Sequence, residues 1–385
     1  MPHVLDARRP DGRPMRIMYD TVIDSCCRLD TTDTKSLPII VPGIIDLQVN
    51  GFAGVDFNDP AVTSGMFDQA CEALKTQGVT RFCVTLITDD LDRLQTQLRR
   101  LESFRTHGNA AARPHYDYHL EGPYISLQDG PRGAHPLGHV HEPSVREVAD
   151  FLDKAGEIAE RIKIVTLSPE YAAANGVITY LTHRGILAAI GHTAATAKQI
   201  QNAVDAGARM ATHLGNGCAA LLPRHDNPIM AVLAEERLAI SVIADGFHLP
   251  PELLKVFYKV KHDRIVLVSD ATRFAGMPPG HYEAPIGGRV VLTPEGRLHV
   301  ADSPHLLAGS ARSAFDGFRH LHSLGLDTPE RLWRLVSEHP ASLLGLSSPP
   351  LSPGRNADFL LIDDTHGDWR ITATCVGGQC FRIRS

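Results

Sequence analysis

The sequence has no long apolar run. None of its 385 residues fall in a stretch of about 20 consecutive apolar residues, the length a helix needs to cross a bilayer. A membrane is therefore not the expected partner. It also lacks surplus positive charge: 38 Lys and Arg against 44 Asp and Glu leave a net charge of −6. No basic face is available for nucleic acid, so an anionic substrate must be met by local Arg or His. Met1 to Pro14 is polar and carries no apolar segment of the secretory kind. No CxxC pair exists. The seven cysteines are scattered, with Cys26 and Cys27 adjacent and Cys375 and Cys380 near the end, and they read as thiols of a reducing cytoplasm. Finally, neither GxGxxG nor GxxxxGK[ST] occurs, which argues against a doubly wound sheet with a phosphate loop.

Eight short apolar runs rich in β-branched residues are present: Ile44–Gly51, Arg81–Thr88, Tyr116–Pro123, Ile162–Glu170, Ile186–Thr193, Ala208–Leu214, Leu238–Gly246 and Arg264–Ala271. Amphipathic stretches lie between most of them. Pro60–Gln77, Leu91–His107, Ser144–Ala159, Tyr171–Arg184, Ala195–Ala206 and Pro250–Lys261 read as helices, and Ser310–Leu324 and Pro329–Leu344 follow the eighth run. Near-continuous apolar strands alternating with helices imply a parallel sheet covered on both faces, and eight of them predict an α/β fold with a (β/α)8 TIM-like barrel. The ends differ. Short alternating stretches such as Arg16–Asp20, Asp358–Ile362 and Ile371–Val376 predict a small β-sandwich domain built from residues 1–43 and 348–385, around a barrel of residues 44–347. Pro349, Pro350, Pro353 and Gly354 mark the join.

In such a barrel the active site lies at the C-terminal ends of the strands. The ionisable residues collect there. Strand three ends in His119-Leu120-Glu121, strand five in Gly191-His192, strand six in Thr212-His213, strand seven runs into Asp245 and His248, and strand eight ends in Ser269-Asp270. Such groups are costly at an apolar mouth unless paired or metal-bound. Two His and a carboxylate form a common catalytic zinc set with an open position for water, here Glu121, His192 and His213. A further carboxylate beside them, Asp270, can take a proton from water and return it to a leaving amine. His119 shares a strand face with Glu121 and is expected to support it.

The motifs PGIIDLQVNG (42–51), HLEGPYIS (119–126), VTLSPE (165–170), GHTAAT (191–196), ATHLGN (211–216), IADGFH (243–248) and LVSDAT (267–272) resemble those of the N-acetylglucosamine-6-phosphate deacetylases, within the amidohydrolase superfamily. The resemblance runs from about Pro42 to Leu344. It implies hydrolysis of the N-acetyl group of N-acetylglucosamine 6-phosphate, with Glu121, His192 and His213 on the metal and Asp270 as base and then acid. It further implies that His135 polarises the carbonyl and that Asn216, Gly217 and His248 contact the sugar phosphate. Arg224 would reach the substrate of a neighbouring subunit, making a homodimer. Where relatives with two metals carry His-x-His, this chain has Gln48-Val49-Asn50. Amides are poor zinc ligands, so one divalent metal per subunit is expected, Zn2+ with Fe2+ as the alternative. Leu214-Gly215-Asn216-Gly217-Cys218 replaces a common Leu-Tyr-Asn-Ala-Met, and the loop to Pro228 is also altered. Another N-acyl sugar or amide is therefore the second reading. A non-catalytic sugar-phosphate-binding protein is the remote one, disfavoured because all four reactive residues are present.

Overall fold

The structure, a computed structural model, describes residues 2–106, 113–284, 288–346, 351–365 and 367–383. The helix end expected at His107 and the prolines Pro349 and Pro350 of the expected join lie outside the described residues. All eight expected barrel strands form: Ile44–Val49, Val79–Ile87, His115–Glu121, Ile162–Leu167, Leu187–Ile190, Met210–Ala211, Ala239–Ile243 and Ile265–Val268, numbered here one to eight. They pair in sequence order, each parallel to the next. Strand six is the shortest, two residues long. Its chain turns out early to bring His213 to the rim.

The seam between strands eight and one closes the barrel. A parallel bridge joins Val49 to Ala271, and the backbone N–H of Asn50 donates to Ala271 at 2.9 Å. Lower in the seam a side chain replaces the ladder. The Asp46 carboxylate, 1% exposed, accepts the Ser269 N–H at 3.1 Å and the Gln48 N–H at 3.3 Å. The outer faces of the strands and the helix layer share a packed core that includes Val49, Phe82, Tyr118, Val165, Ile240 and Leu267, while side chains of the opposite strand faces, among them Leu47, Cys83, Ile164, Met210 and Val266, form a separate core. Helices begin where caps dictate. Thr196 and Gln199 form a reciprocal capping box at the start of Ala197–Ala206, which fixes the exit of the chain just after His192.

Both chain ends contribute to one seven-stranded sheet, in the order Gln379–Arg382, Arg370–Val376, Phe359–Asp363, Ile39–Pro42, His3–Arg8, Pro14–Tyr19, Ile23–Arg28. Alternation explains it. Met15, Ile17 and Tyr19 face a separate core with Ile40 and Phe359, while Arg16 points outward to pair with Asp6 at 2.6 Å. Four features depart from expectation. Cys375 and Cys380 oppose each other across the last hairpin, with Cα atoms 4.0 Å apart, and are joined as a disulfide, so only five cysteines are free. The two-residue Gly377-Gly378 loop between the strands was the sequence signal for this register. A four-stranded antiparallel meander, Gly280–Ala284, Gly288–Leu292, Leu298–Val300 and Ser303–Leu307, follows strand eight where no element was expected. A helix, Pro228–Ala234, also follows strand six unexpectedly. The expected Pro329–Leu344 helix is three short pieces, broken around Ser337.

Burial pushes the Asp46 carboxyl up to about 7, against the opposing pull of its bonds from Ser269 and Gln48. A raised acid makes the folded state the stronger proton binder between its unfolded value near 4 and about 7, so this contribution to stability is lost as pH rises through that window. Asp46→Asn, neutral throughout, is expected to gain melting temperature relative to the parent on going from pH 5 to pH 8. A difference that is the same at both values would remove the effect.

Candidate metal centre and active site

Glu121 is the last residue of strand three. Its Oε1 atom lies 2.8 Å from Nε2 of His213 and 3.2 Å from Nε2 of His192, and the two nitrogens are 3.1 Å apart. All three residues are buried. Three strand ends thus aim one oxygen and two nitrogens at a single point. Backbone geometry serves this convergence. His192 and His213, with Asp270, have positive φ angles of 49°, 30° and 47°. Such values are uncommon for residues with a Cβ and concentrate at functional sites.

The donor set fits a divalent cation. His192 Nδ1 donates to the Pro131 carbonyl at 2.9 Å, which leaves the Nε2 lone pair facing the common point. Burial pushes the Glu121 carboxyl up, but the adjoining His192 and His213 rings outweigh it and hold it well below the usual carboxylate range. Burial lowers His213, and the bond to Glu121 then raises it to about 9. Glu121 therefore demands positive charge here, which a proton or a metal ion can supply. Two imidazoles and one carboxylate suit zinc or iron.

The other expected residues gather around this centre to different degrees. Asp270 is half-buried at the rim, and desolvation followed by repulsion from Glu121 raises its carboxyl to about 6. His135 is buried with its ring centroid 4.3 Å from that of His192, and its Nδ1 lies 2.8 Å from the Thr88 hydroxyl. Burial, then His192, lowers it to about 3, so its imidazole is neutral. Glu121, His135 and His192 can bring ligand atoms within 4.8 Å of one another, so His135 reaches the centre as well. His119 is fully buried with both nitrogens engaged, by Leu47 O at 3.1 Å and Thr166 Oγ1 at 2.7 Å. Its position beneath Glu121 is supportive.

His248 Nδ1 donates to Asp245 Oδ2 at 2.7 Å, and Asp245 also accepts the N–H groups of Phe247 and His248. His248 lies close enough to Asp270 to lower its carboxyl electrostatically. Asn216 turns its amide back to the His213 carbonyl at 3.1 Å. Gly217 lies against His192, where a Cβ would come within 3.0 Å of the His192 nitrogen. Gly215 has a φ of +94°, a conformation that residues with a Cβ rarely adopt. Arg224 is exposed on the same loop, and among the described residues no hydrogen bond or ion pair ties it to the centre. Sequence reasoning treated Gln48 and Asn50 only as absent ligands. Here Gln48 Nε2 donates to Glu121 Oε1 at 2.8 Å and Asn50 Nδ2 to Asp270 Oδ1 at 2.7 Å. Their i, i+2 spacing was the available signal. Thr88 likewise escaped it, and Asp245 was placed at the rim without its bond to His248.

A closed parallel barrel with two imidazoles and two carboxylates at its C-terminal rim defines a hydrolase of the amidohydrolase type. Known proteins agree. The chain is 33% identical to the N-acetylglucosamine-6-phosphate deacetylase of Danio rerio, over 89% of this chain and 84% of that one. It is 32% identical to an N-acetylgalactosamine-6-phosphate deacetylase of Escherichia coli O157:H7, over 94% and 96%. An N-acetyl-D-glucosamine-6-phosphate deacetylase mutant from Mycobacterium smegmatis, solved in complex with N-acetyl-D-glucosamine-6-phosphate, superposes with a TM-score of 0.84 at 26% identity, covering 98% of this chain and 99% of that one. No family model matches. The chain belongs to the N-acetylglucosamine-6-phosphate deacetylase family.

His213→Ala is expected to weaken metal retention by at least the roughly 10–100-fold that follows loss of an outer partner of a metal ligand. Elemental analysis after gel filtration measures it, and a full metal complement would exclude His213 as a ligand.

Proposed function

We propose that the chain hydrolyses the N-acetyl group of N-acetylglucosamine 6-phosphate, releasing acetate and glucosamine 6-phosphate. The observation that carries this reading is the convergence of Glu121, His192 and His213 on one point with Asp270 beside them. Those three residues would hold one divalent ion, zinc with iron as the alternative. When bound, the ion supplies Lewis acidity to water and to the amide carbonyl.

The chain's own groups handle the protons. Asp270 as a carboxylate takes the proton of the attacking water and delivers it to the sugar nitrogen as the C–N bond breaks. His135 is neutral. Thr88 Oγ1 holds Nδ1 at 2.8 Å, and in this reading the ring carries its proton on Nε2, which donates to the carbonyl oxygen as negative charge develops there. Asn216, the Gly217 backbone and His248 orient the sugar phosphate. In this reading residues 44–347 carry the chemistry and the two ends form the small β domain. Arg224 and the 91% exposed Leu221 lie on one loop, which supports a homodimer in which Arg224 serves the partner's substrate. No described helix is long and apolar enough to cross a membrane. The five free cysteines favour a cytoplasmic setting, and the Cys375–Cys380 bridge does not.

The galactosamine epimer is the second reading. The Escherichia coli relative named for that substrate matches almost end to end, and Gly215 alters the loop after His213. Acetate release measured with both phosphorylated epimers and with unphosphorylated N-acetylglucosamine decides. Preference for the glucosamine phosphate by more than tenfold, about 1.4 kcal/mol, is expected. Faster turnover of the galactosamine compound would favour the alternative, and no release from any of the three would end both.

Asp270→Asn is expected to cut kcat by about 10²–10⁴-fold while the metal content stays at the parent value. Because Asp270 must be ionised to accept a proton, kcat/KM should fall as pH drops through its pKa. Burial sets that value at about 6, and a bound cation lowers it. An acid limb at or below about pH 6, absent from the residual activity of Asp270→Asn, is the expected profile.

A further inference from the structure

Gln48 and Asn50 sit at i and i+2 where strand one leaves the barrel, so both side chains face the same way. Their backbones are fixed. Gln48 N–H is held by Asp46 and its carbonyl by the Ser269 hydroxyl, while Asn50 N–H donates to Ala271 and its carbonyl accepts from Phe57. From these anchored positions each amide nitrogen donates to a different carboxylate, Gln48 to Glu121 and Asn50 to Asp270. An ionised carboxylate only accepts, so the nitrogens, not the oxygens, must face it. The remaining oxygens, Gln48 Oε1 and Asn50 Oδ1, are buried without a hydrogen-bond partner. Unpaired buried acceptors are unfavourable, and the fold tolerates one on each residue to keep the two nitrogens in place.

We propose that Gln48 and Asn50 are positioning residues with divided labour: Gln48 aims Glu121 at the metal point, and Asn50 aims Asp270 at the reacting water and nitrogen. An amide is suited to this. It supplies one N–H to a carboxylate without adding a charge or competing for the cation. The inference rests on the hydrolase reading above, but two of its readouts need no turnover.

The experiment uses the full-length holoenzyme with Gln48→Leu and Asn50→Leu, and Gln48→Met and Asn50→Ser as second variants should either leucine variant fail to fold. Metal remaining during a chelator titration, kcat, KM and melting temperature are measured, and Asn50→Leu is crystallised. Gln48→Leu is expected to release its metal at a chelator concentration about 10–100-fold lower than the parent. Asn50→Leu is expected to resist chelator like the parent, to lose about 10–100-fold in kcat, and to show the Asp270 carboxylate turned from its parent position. Its KM should change by less than about threefold, since an interaction made only in the transition state affects kcat. Parental metal retention in Gln48→Leu, or parental kcat and an unmoved Asp270 in Asn50→Leu, would overturn the corresponding half. Equal loss of both properties in both variants, tracking a lower melting temperature, would overturn the division and leave a structural role. If the parent hydrolyses none of the three acetylated sugars, the substrate reading fails, while metal retention and the Asp270 position still report on this one.

Discussion

One buried oxygen organises the rim of this barrel. Glu121 Oε1 receives Gln48 from strand one, His192 from strand five and His213 from strand six. A carboxylate with so little exposure is tolerable only if positive charge and N–H donors surround it. The barrel supplies them because parallel strands in sequence order bring distant residues to one edge: Glu121 and His213 are 92 positions apart. The positive φ angles at His192, His213 and Asp270 belong to the same constraint. The chain must turn at the end of each strand to point a side chain inward, and the ladder below holds it there.

The site separates metal holding from proton transfer by using two carboxylates in different environments. Glu121 is surrounded by imidazoles and stays ionised, whereas Asp270 is desolvated, repelled by Glu121 and raised. Neighbouring acids with pKa values pushed apart are suited to different roles. Strand one, which offers no imidazole, contributes one neutral amide to each. The seam between strands eight and one matters for this reason. Asp46, Ser269 and Ala271 lock the register that sets Asn50 opposite Asp270.

The barrel was legible in the sequence because buried parallel strands read as apolar runs, even where strand six keeps only two paired residues. Glu121, His192, His213 and Asp270 stood out because polar residues ended those runs. The meander from Gly280 to Leu307 did not, since only Val290, Leu292 and Leu298 of its strands are buried. Gly287-Gly288 and Pro294-Glu295-Gly296 were its turn signals. The Pro228–Ala234 helix is too short to show a period. Partnerships such as Asn50 with Asp270 or His135 with Thr88 were illegible for another reason. They depend on register between strands, which local pattern does not encode.

The seven-stranded sheet has a consequence for how the chain is made. Its middle strand, Ile39–Pro42, pairs with Phe359–Asp363 in register, Ile40 against Leu361 and Val41 against Leu360. The first forty residues therefore leave the ribosome long before their partner strands exist. At about 5–20 residues per second the wait is on the order of 20–60 s, during which Ile17, Tyr19 and Ile23 lack the Phe359 side of their core. The barrel can form in that interval, and the later strands then close the sheet around an edge kept waiting since Ile39–Pro42 emerged.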